Sequence, residues 1–368
     1  MKPLEGLRVI TVEHFGAGPY GTMFLAGLGA EVIKVENAGA GGDPGRRVGP
    51  HLLGEHDSQY FQSWNLGKKS IALDLKNERE RFQALVADAD ALVNNLRGDV
   101  PSKLGLDYKS LAAVNPALVC LHVSAYGRDN ERASWPGYDF AMQAEAGLMD
   151  LTGEPDGAPC RFGTSIIDCM TGMTGAAALL ACVLRAKRTG KGCDVDVNLF
   201  DVALHQLTYM GTWYLNEGVA PSRQPRSAHY SLTPVQTFKT ADGWIFVMCM
   251  TDRFWSELLE ALARRDLAAD KRFATQAARL QHRAELTDVL DGEFRRRRTA
   301  EWLETLSGRV PVAPINDVRQ ALGSSFVAST GMVCEAPHPA RPGFRVLATP
   351  VKIDGERPKP SVCAPLKR

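Results

Sequence analysis

The sequence predicts an α/β protein: a large domain with a helix-covered parallel sheet, followed by a smaller α+β domain. Three observations predict it. Strand-like apolar runs alternate with helical segments through the first half of the chain, a pattern that buries a parallel sheet on both faces. A stretch rich in Pro, Ser and Arg breaks this alternation after Gly218. Beyond it, a hairpin signal leads into amphipathic helices. The expected division is 1–205 for the large domain, 206–230 for a linker, 231–316 for the small α+β domain and 317–368 for a C-terminal segment.

The strands of the large domain are read at Leu7–Glu13, Glu31–Glu36, Ser70–Leu75, Ala91–Leu96 and Leu118–Gly127, with helices between several of them, such as Glu78–Asp88. A long Gly- and Ala-rich helix is expected from Asp168 to Ala186; Lys187 and Arg188 suit its last turn and Gly190 its stop. Cys193–Gln206 reads as a strand leading into a helix. In the small domain, Asp242-Gly243 marks a tight turn between two strands, and helices follow at Asp252–Arg264, Glu285–Arg298 and Ala300–Leu306. The run Arg295–Arg298 reads as a solvated helix end rather than a nucleic-acid patch.

Composition excludes several function classes. With 45% hydrophobic and 23% charged residues, the chain has the make-up of a soluble globular protein. A net charge of +1 gives no field that would favour nucleic acid or an anionic membrane as partner. The 8 cysteines form no C-x-x-C pair and no metal-spaced cluster with histidine, which points to reduced thiols and no metal. No apolar signal region follows Met1. The longest apolar run, Met173 to Leu184, reads as a buried helix, too short to span a bilayer. A cytoplasmic location is expected.

Gly16, Gly18 and Gly21 stand in G-x-G-x-x-G spacing after the first strand, and the second strand ends in Glu36. The pattern suggests a nucleotide loop, but two details count against a nicotinamide. Glu13, His14 and Phe15 separate the strand from the first glycine, and Pro19 interrupts the motif before a short helix from Tyr20 to Leu28. A helix N-terminus still attracts phosphates whatever the ligand, and the same glycines also suit a pure turn-and-packing role.

Longer blocks are more specific. "AGP…LAGLGAEVIKVE…GD", "FQSWNLGKKSIALDLK" (Phe61–Lys76), "PGYDFAMQAEAGLM" (Pro136–Met149), "GTSIIDCMTGMTGAAALLACVLRAKRTGKGCDVDVNLFDVAL" and "TADGWIFVMC" occur in order. Together they resemble the class III CoA-transferases, the formyl-CoA transferase and carnitine-CoA-transferase group that also holds the 2-methylacyl-CoA racemases. The resemblance covers nearly the whole chain. It implies a Rossmann-like large domain that binds CoA, a smaller domain, a C-terminal segment returning to the large domain, and an interlocked homodimer.

It also implies a site. The nucleophile would be Asp168 in "GTSIIDCMTG", at the start of the long helix, where the macrodipole is expected to keep the carboxylate ionised. From its position alone, Asp168 is equally a helix cap. CoA contacts are implied at Gly16, Ala17, Leu73, Lys76, Asn95, Leu96, Lys103, Tyr138 and Asp139. Arg46 and Arg47 add phosphate candidates by charge, and His229 a candidate contact to the acyl group. The implied chemistry moves CoA from an acyl-CoA, such as succinyl-CoA, to a small carboxylic acid through an aspartyl anhydride and an aspartyl-CoA thioester, with CoA as substrate and no tightly bound cofactor. The racemases carry a histidine where this sequence has Tyr138, and tyrosine is a poor base for an α-proton. Racemisation and non-catalytic acyl-CoA binding are the alternatives. A glycine-rich closing segment and a further helical tail belong to the family pattern, yet no tetraglycine stands in the small domain and the sequence ends at "APLKR".

Overall fold

A computed structural model describes residues 2–363, so the segment "APLKR" lies outside the described residues. The chain divides into two compact units. Of the described residues, the first holds 2–148, Arg161–Gly218 and 325–363; the second holds Met149–Cys160 and Val219–Ser324. The expected passage at 205/206 thus moves to Gly218. The reason is a helix, Thr208–Glu217, whose Tyr209 and Trp213 rings meet one turn apart at a tilt inside the expected linker.

The first unit is built on six strands, β1 (Arg8–Val12), β2 (Glu31–Glu36), β3 (Lys69–Ala72), β4 (Ala91–Asn94), β5 (Val119–Ser124) and β6 (Cys193–Asn198). Their order is β3-β2-β1-β4-β5-β6 and every neighbouring pair is parallel. The order reverses between β1 and β4, which makes the sheet doubly wound and places its ligand crevice outside the carboxyl ends of these strands. β4 and β5 are buried at every position, as central parallel strands with both faces covered must be. The helices of this unit are α1 (Ala17–Gly27), α2 (Gln59–Asn65), α3 (Arg79–Ala87), α4 (Tyr108–Leu111), α5 (Asp139–Glu145), α6 (Ile166–Thr189), α7 (Leu199–His205) and α8 (Thr208–Glu217).

α6 is long and apolar enough to cross a membrane by length and composition. Here its stripe Ile167, Thr171, Gly175, Leu179 and Val183 is buried in the core with α1 and the sheet. The closest approach of the two helices lies at Gly21 and Gly172. A Cβ on Gly21 would sit 2.3 Å from the Gly172 carbonyl oxygen, and one on Gly172 would sit 2.5 Å from that of Ala17. The third glycine of the motif is therefore a helix-crossing residue.

A buried charge cluster holds the loop between β1 and α1. Lys68 Nζ meets Glu13 Oε1 at 2.7 Å and the Pro19 carbonyl at 2.9 Å. Lys34 Nζ meets the Glu13 carbonyl at 2.7 Å and Asp43 Oδ2 at 2.9 Å. Arg46 grips Glu36 through two nitrogens, at 2.9 and 2.7 Å, with its guanidinium over Phe61. Arg46 is thus a buried structural cation and not a phosphate ligand; Glu36, ten residues earlier on β2, takes it. Three buried cations (Lys34, Lys68, Arg46) face three buried carboxylates (Glu13, Glu36, Asp43), the balance that permits burial at all. The C-terminal segment packs on the same region: Gln62 exchanges two hydrogen bonds with the Cys363 backbone, and His338 Nε2 lies 3.0 Å from Asp57 Oδ2.

The second unit carries the expected hairpin, β7 (Val235–Lys239) and β8 (Trp244–Met248), extended by β9 (Val312–Pro314) into an antiparallel sheet. Around it lie α9 (Asp252–Ala261), α10 (Arg265–Ala269), α11 (Gln276–Gln281), α12 (Arg283–Phe294) and α13 (Thr299–Leu306). Phe238, Trp255, Phe273, Phe294 and Trp302 fill its core. Arg295, Arg296 and Arg298 each pair with a carboxylate of this unit, Asp291, Glu293 and Asp242.

The two glycine environments predict opposite signs. Gly172→Ala forces a Cβ into backbone and should destabilise the protein by ~1–3 kcal/mol. Gly292→Ala on the open face of α12, where nothing lies within 4 Å, should stabilise it by ~0.5–1 kcal/mol. Urea unfolding of both variants checks this, and equal shifts would show that the α1–α6 crossing has room to yield.

Candidate active site

The carboxyl ends of β1, β4 and β5 open into a cavity of about 300 Å³. Its wall includes His14, Gly16, Asn95, Arg97, Tyr138 and Asp168. The loop before α1 is shaped by Phe15, whose φ of 60° turns the chain sharply into Gly16. Asn95, just past β4, clamps this turn from the side, its Oδ1 accepting from the His14 N–H at 2.8 Å and its Nδ2 donating to the His14 carbonyl at 2.6 Å.

Asp168 enters from α6. The α1–α6 crossing brings the two helix N-termini together, and Asp168 stands in the first turn. A Cβ on Gly16 would lie 2.2 Å from Asp168 Oδ2, so only glycine leaves room for that carboxylate. Asp168 is not the helix cap. The N-cap position is Ser165, whose side chain makes no capping bond, and the backbone N–H of Asp168 is capped from α5 by Asp139 Oδ2 at 2.9 Å.

The electrostatics differ from the simple macrodipole expectation. Burial, seconded by the Asp139 carboxylate, pushes Asp168 up to about 7. Burial, Asp168 and Asp43 push Tyr60 up to about 12, so it stays a phenol and a hydrogen-bond donor. Burial also holds His14 below the usual imidazole value, against the pull of Asp43. The helix N-terminus favours the anion, but desolvation and a like charge outweigh it.

Of the expected contacts, Gly16, Ala17, Asn95, Leu96 and Tyr138 line this cavity together with Asp168. Asp139 does not; it is 3% exposed and its carboxylate faces the backbone of α6. Leu73 is buried in the core with Ile10, Ile33 and Phe82. Lys76 is exposed on the loop past β3 and Lys103 in a short 3-10 turn, Ser102–Leu104, past β4, where it pairs with Asp99 at 2.6 Å. Arg47 is exposed and donates to the Gly41 carbonyl. His229 belongs to the second unit, where Arg283 bonds its carbonyl. Two cavity residues, His14 and Arg97, carry no sequence motif that marks them, although Arg97 directly follows two named positions.

Fold and site define an α/β enzyme that presents one half-buried carboxylate at the switch point of a doubly wound sheet. The chain belongs to CoA-transferase family III, whose profile matches residues 4–367. The succinyl-CoA:glutarate CoA-transferase of Mus musculus is 35% identical over 368 residues, covering 98% of this chain and 84% of that protein. The succinyl-CoA:mesaconate CoA-transferase of Haloarcula hispanica is 33% identical over 382 residues, covering 100% of this chain and 94% of the other. A CAIB/BAIF family protein from Brucella suis has the same fold, with a TM-score of 0.85 at 35% identity over 99% of this chain and 96% of that one.

Because Asp168 holds its proton more tightly when folded, its contribution to stability is complete below the ordinary carboxylate range. It is lost as pH rises through about 7. Asp168→Asn, which cannot ionise, should therefore gain melting temperature over the wild type between about pH 4 and pH 8. Calorimetry at several pH values checks this; parallel curves would show that burial does not strain the carboxylate.

Proposed function

We propose that this CoA-transferase takes CoA from a dicarboxylic donor of the succinyl-CoA type and passes it to a second carboxylic acid, with Asp168 as the covalent relay. One observation carries the reading: the Asp168 carboxylate lies against Gly16, in the wall of a cavity at the carboxyl edge of the sheet. The names of the two relatives support succinyl-CoA as donor.

The steps balance without any further reactant. Ionised Asp168 attacks the thioester carbonyl and the C–S bond breaks, giving a mixed anhydride and CoA thiolate. The thiolate attacks the Asp168 carbonyl and the donor leaves as its carboxylate. The acceptor carboxylate then attacks the aspartyl thioester, and the returning thiolate takes the acceptor acyl group and frees Asp168. Gly16 and Ala17, at the start of α1, present backbone N–H groups for the developing oxyanions. Arg97, which shares Asp99 with Lys103, supplies a cation for CoA phosphate, and Lys76 follows β3 at the same carboxyl edge of the sheet. Two copies of the chain form the working enzyme, as the family resemblance implies.

Brief incubation with succinyl-CoA, hydroxylamine or borohydride trapping and intact-mass analysis test this. Wild type should carry an adduct on the Asp168 peptide and Asp168→Ala none. The rate of adduct formation should rise with pH through about 7 as Asp168 ionises. A wild type that binds CoA yet stays unmodified with several acyl-CoA donors would leave the binding-protein reading in its place.

A further inference from the structure

We infer that Asp139, with Gln143 as its lock, is a positioning residue that fixes where Asp168 stands and in which charge state it waits; this rests on Asp168 being the nucleophile. Hydrogen-bond polarity fixes the arrangement. The Phe162 N–H, just ahead of α6, can only donate, and it meets Gln143 Oε1 at 2.9 Å. The amide orientation of Gln143 is thereby set, and its Nε2 must find an acceptor. It finds Asp139 Oδ1 at 2.5 Å. The other oxygen, Oδ2, accepts from the Asp168 backbone at 2.9 Å.

Both oxygens of Asp139 thus face donors, which favours its ionised form. Burial raises Asp139, while the N–H groups of Asp168 and Ile167, the Gln143 amide and Arg161 hold it back. The proton of this carboxylate pair therefore belongs to Asp168. The result is a chain from α5 to α6 in which every link has one polarity. Asp139 and Gln143 are 3% and 2% exposed, buried beside the cavity wall and not in it. A CoA contact through the Asp139 side chain would have to break this chain.

The other groups around the pair do not replace it. Tyr60 on α2 faces Asp168 as a phenol, and Tyr20 on α1 bonds Cys169, the neighbour of Asp168 on α6. Burial pushes Cys169 up to about 11, so it too is neutral. His14 lies in the cavity wall with its imidazole held below its usual value by burial. Arg161 stacks over Phe140 and acts on Asp139. Among the described residues, Asp139 is the one carboxylate that acts on the charge of Asp168.

The test reverses the polarity. In Asp139→Asn, one carbonyl oxygen still accepts from α6, but the new amide points its N–H₂ at the Gln143 N–H₂. Adding Gln143→Glu supplies acceptors both to that new amide and to the Phe162 N–H, and restores the negative charge one link further away. Asp139→Asn should lower kcat about a hundredfold, the scale of a misplaced reacting group, with KM for the acyl-CoA nearly unchanged. Its acid limb should move to lower pH, because the like charge is gone. The Asp139→Asn/Gln143→Glu double variant should recover kcat to within about tenfold of wild type, as strongly coupled sites do. A raised KM with intact kcat in Asp139→Asn would make Asp139 a CoA contact and overturn the inference. So would an unmoved acid limb, or a double variant that neither folds nor recovers turnover. Adduct trapping on the same preparations separates the two ideas: without an adduct in wild type the relay itself fails, whereas an adduct formed equally well by Asp139→Asn sinks the positioning role alone.

Discussion

The contact on which the rest of the structure depends is the backbone-to-backbone crossing of α1 and α6 at Gly21 and Gly172. A side chain on either residue would push the helices apart, and the displacement would be largest where their N-termini meet the cavity. Asp168 is one turn from Gly172 and Gly16 little more than one turn from Gly21, so the crossing sets the distance between the carboxylate and the loop it faces. The glycine motif thus uses its last member to bring two helices together and its first to make room for what that brings.

A loop this tightly placed needs an anchor, and the anchor is electrostatic. Glu13, the residue that follows β1, is gripped by Lys68 and Thr22, while Lys34 holds its carbonyl and Asp43. Asp43 in turn accepts from the Phe15 N–H at 3.3 Å. Charges buried this deeply stabilise little on their own, but removing one strands its partners, so the set behaves as a unit. It ties β2, α2 and the turn at Phe15 to a single geometry. The cost of that turn, a phenylalanine at positive φ, is met by these contacts and by the Asn95 clamp.

Much of this was legible in the sequence. The alternation that marked β1 to β5 reflects burial on both faces, and Gly190 ends α6 in the left-handed conformation that only a residue without a Cβ adopts freely. What stayed hidden depends on pairing across the chain. Arg46 reads as a phosphate ligand until Glu36 is seen beneath it, and Leu73 is an implied CoA contact until its side chain is found in the core. Asp139 belongs to the same class: no local pattern announces that a carboxylate in one helix will cap another whose first turn lies 29 residues away. The residues Met149–Cys160 likewise join the second unit through contacts that composition does not carry.

The raised proton affinity of Asp168 bears on the direction of the proposed relay. A carboxylate held near 7 is a stronger nucleophile than an ordinary one and still ionised in good part at neutral pH, the compromise that favours reaction near the working pH. It is also the poorer leaving group of the two acids in a mixed anhydride. Expelling it would place an unwelcome anion beside Asp139 in a desolvated site, whereas expelling the donor acid yields an ordinary carboxylate. Thiolate attack at the aspartyl carbonyl is therefore favoured over attack that returns the donor thioester. The burial that makes Asp168 costly to ionise thus favours loading CoA onto the enzyme, and it opposes the last step, in which Asp168 must leave again to release the acceptor thioester.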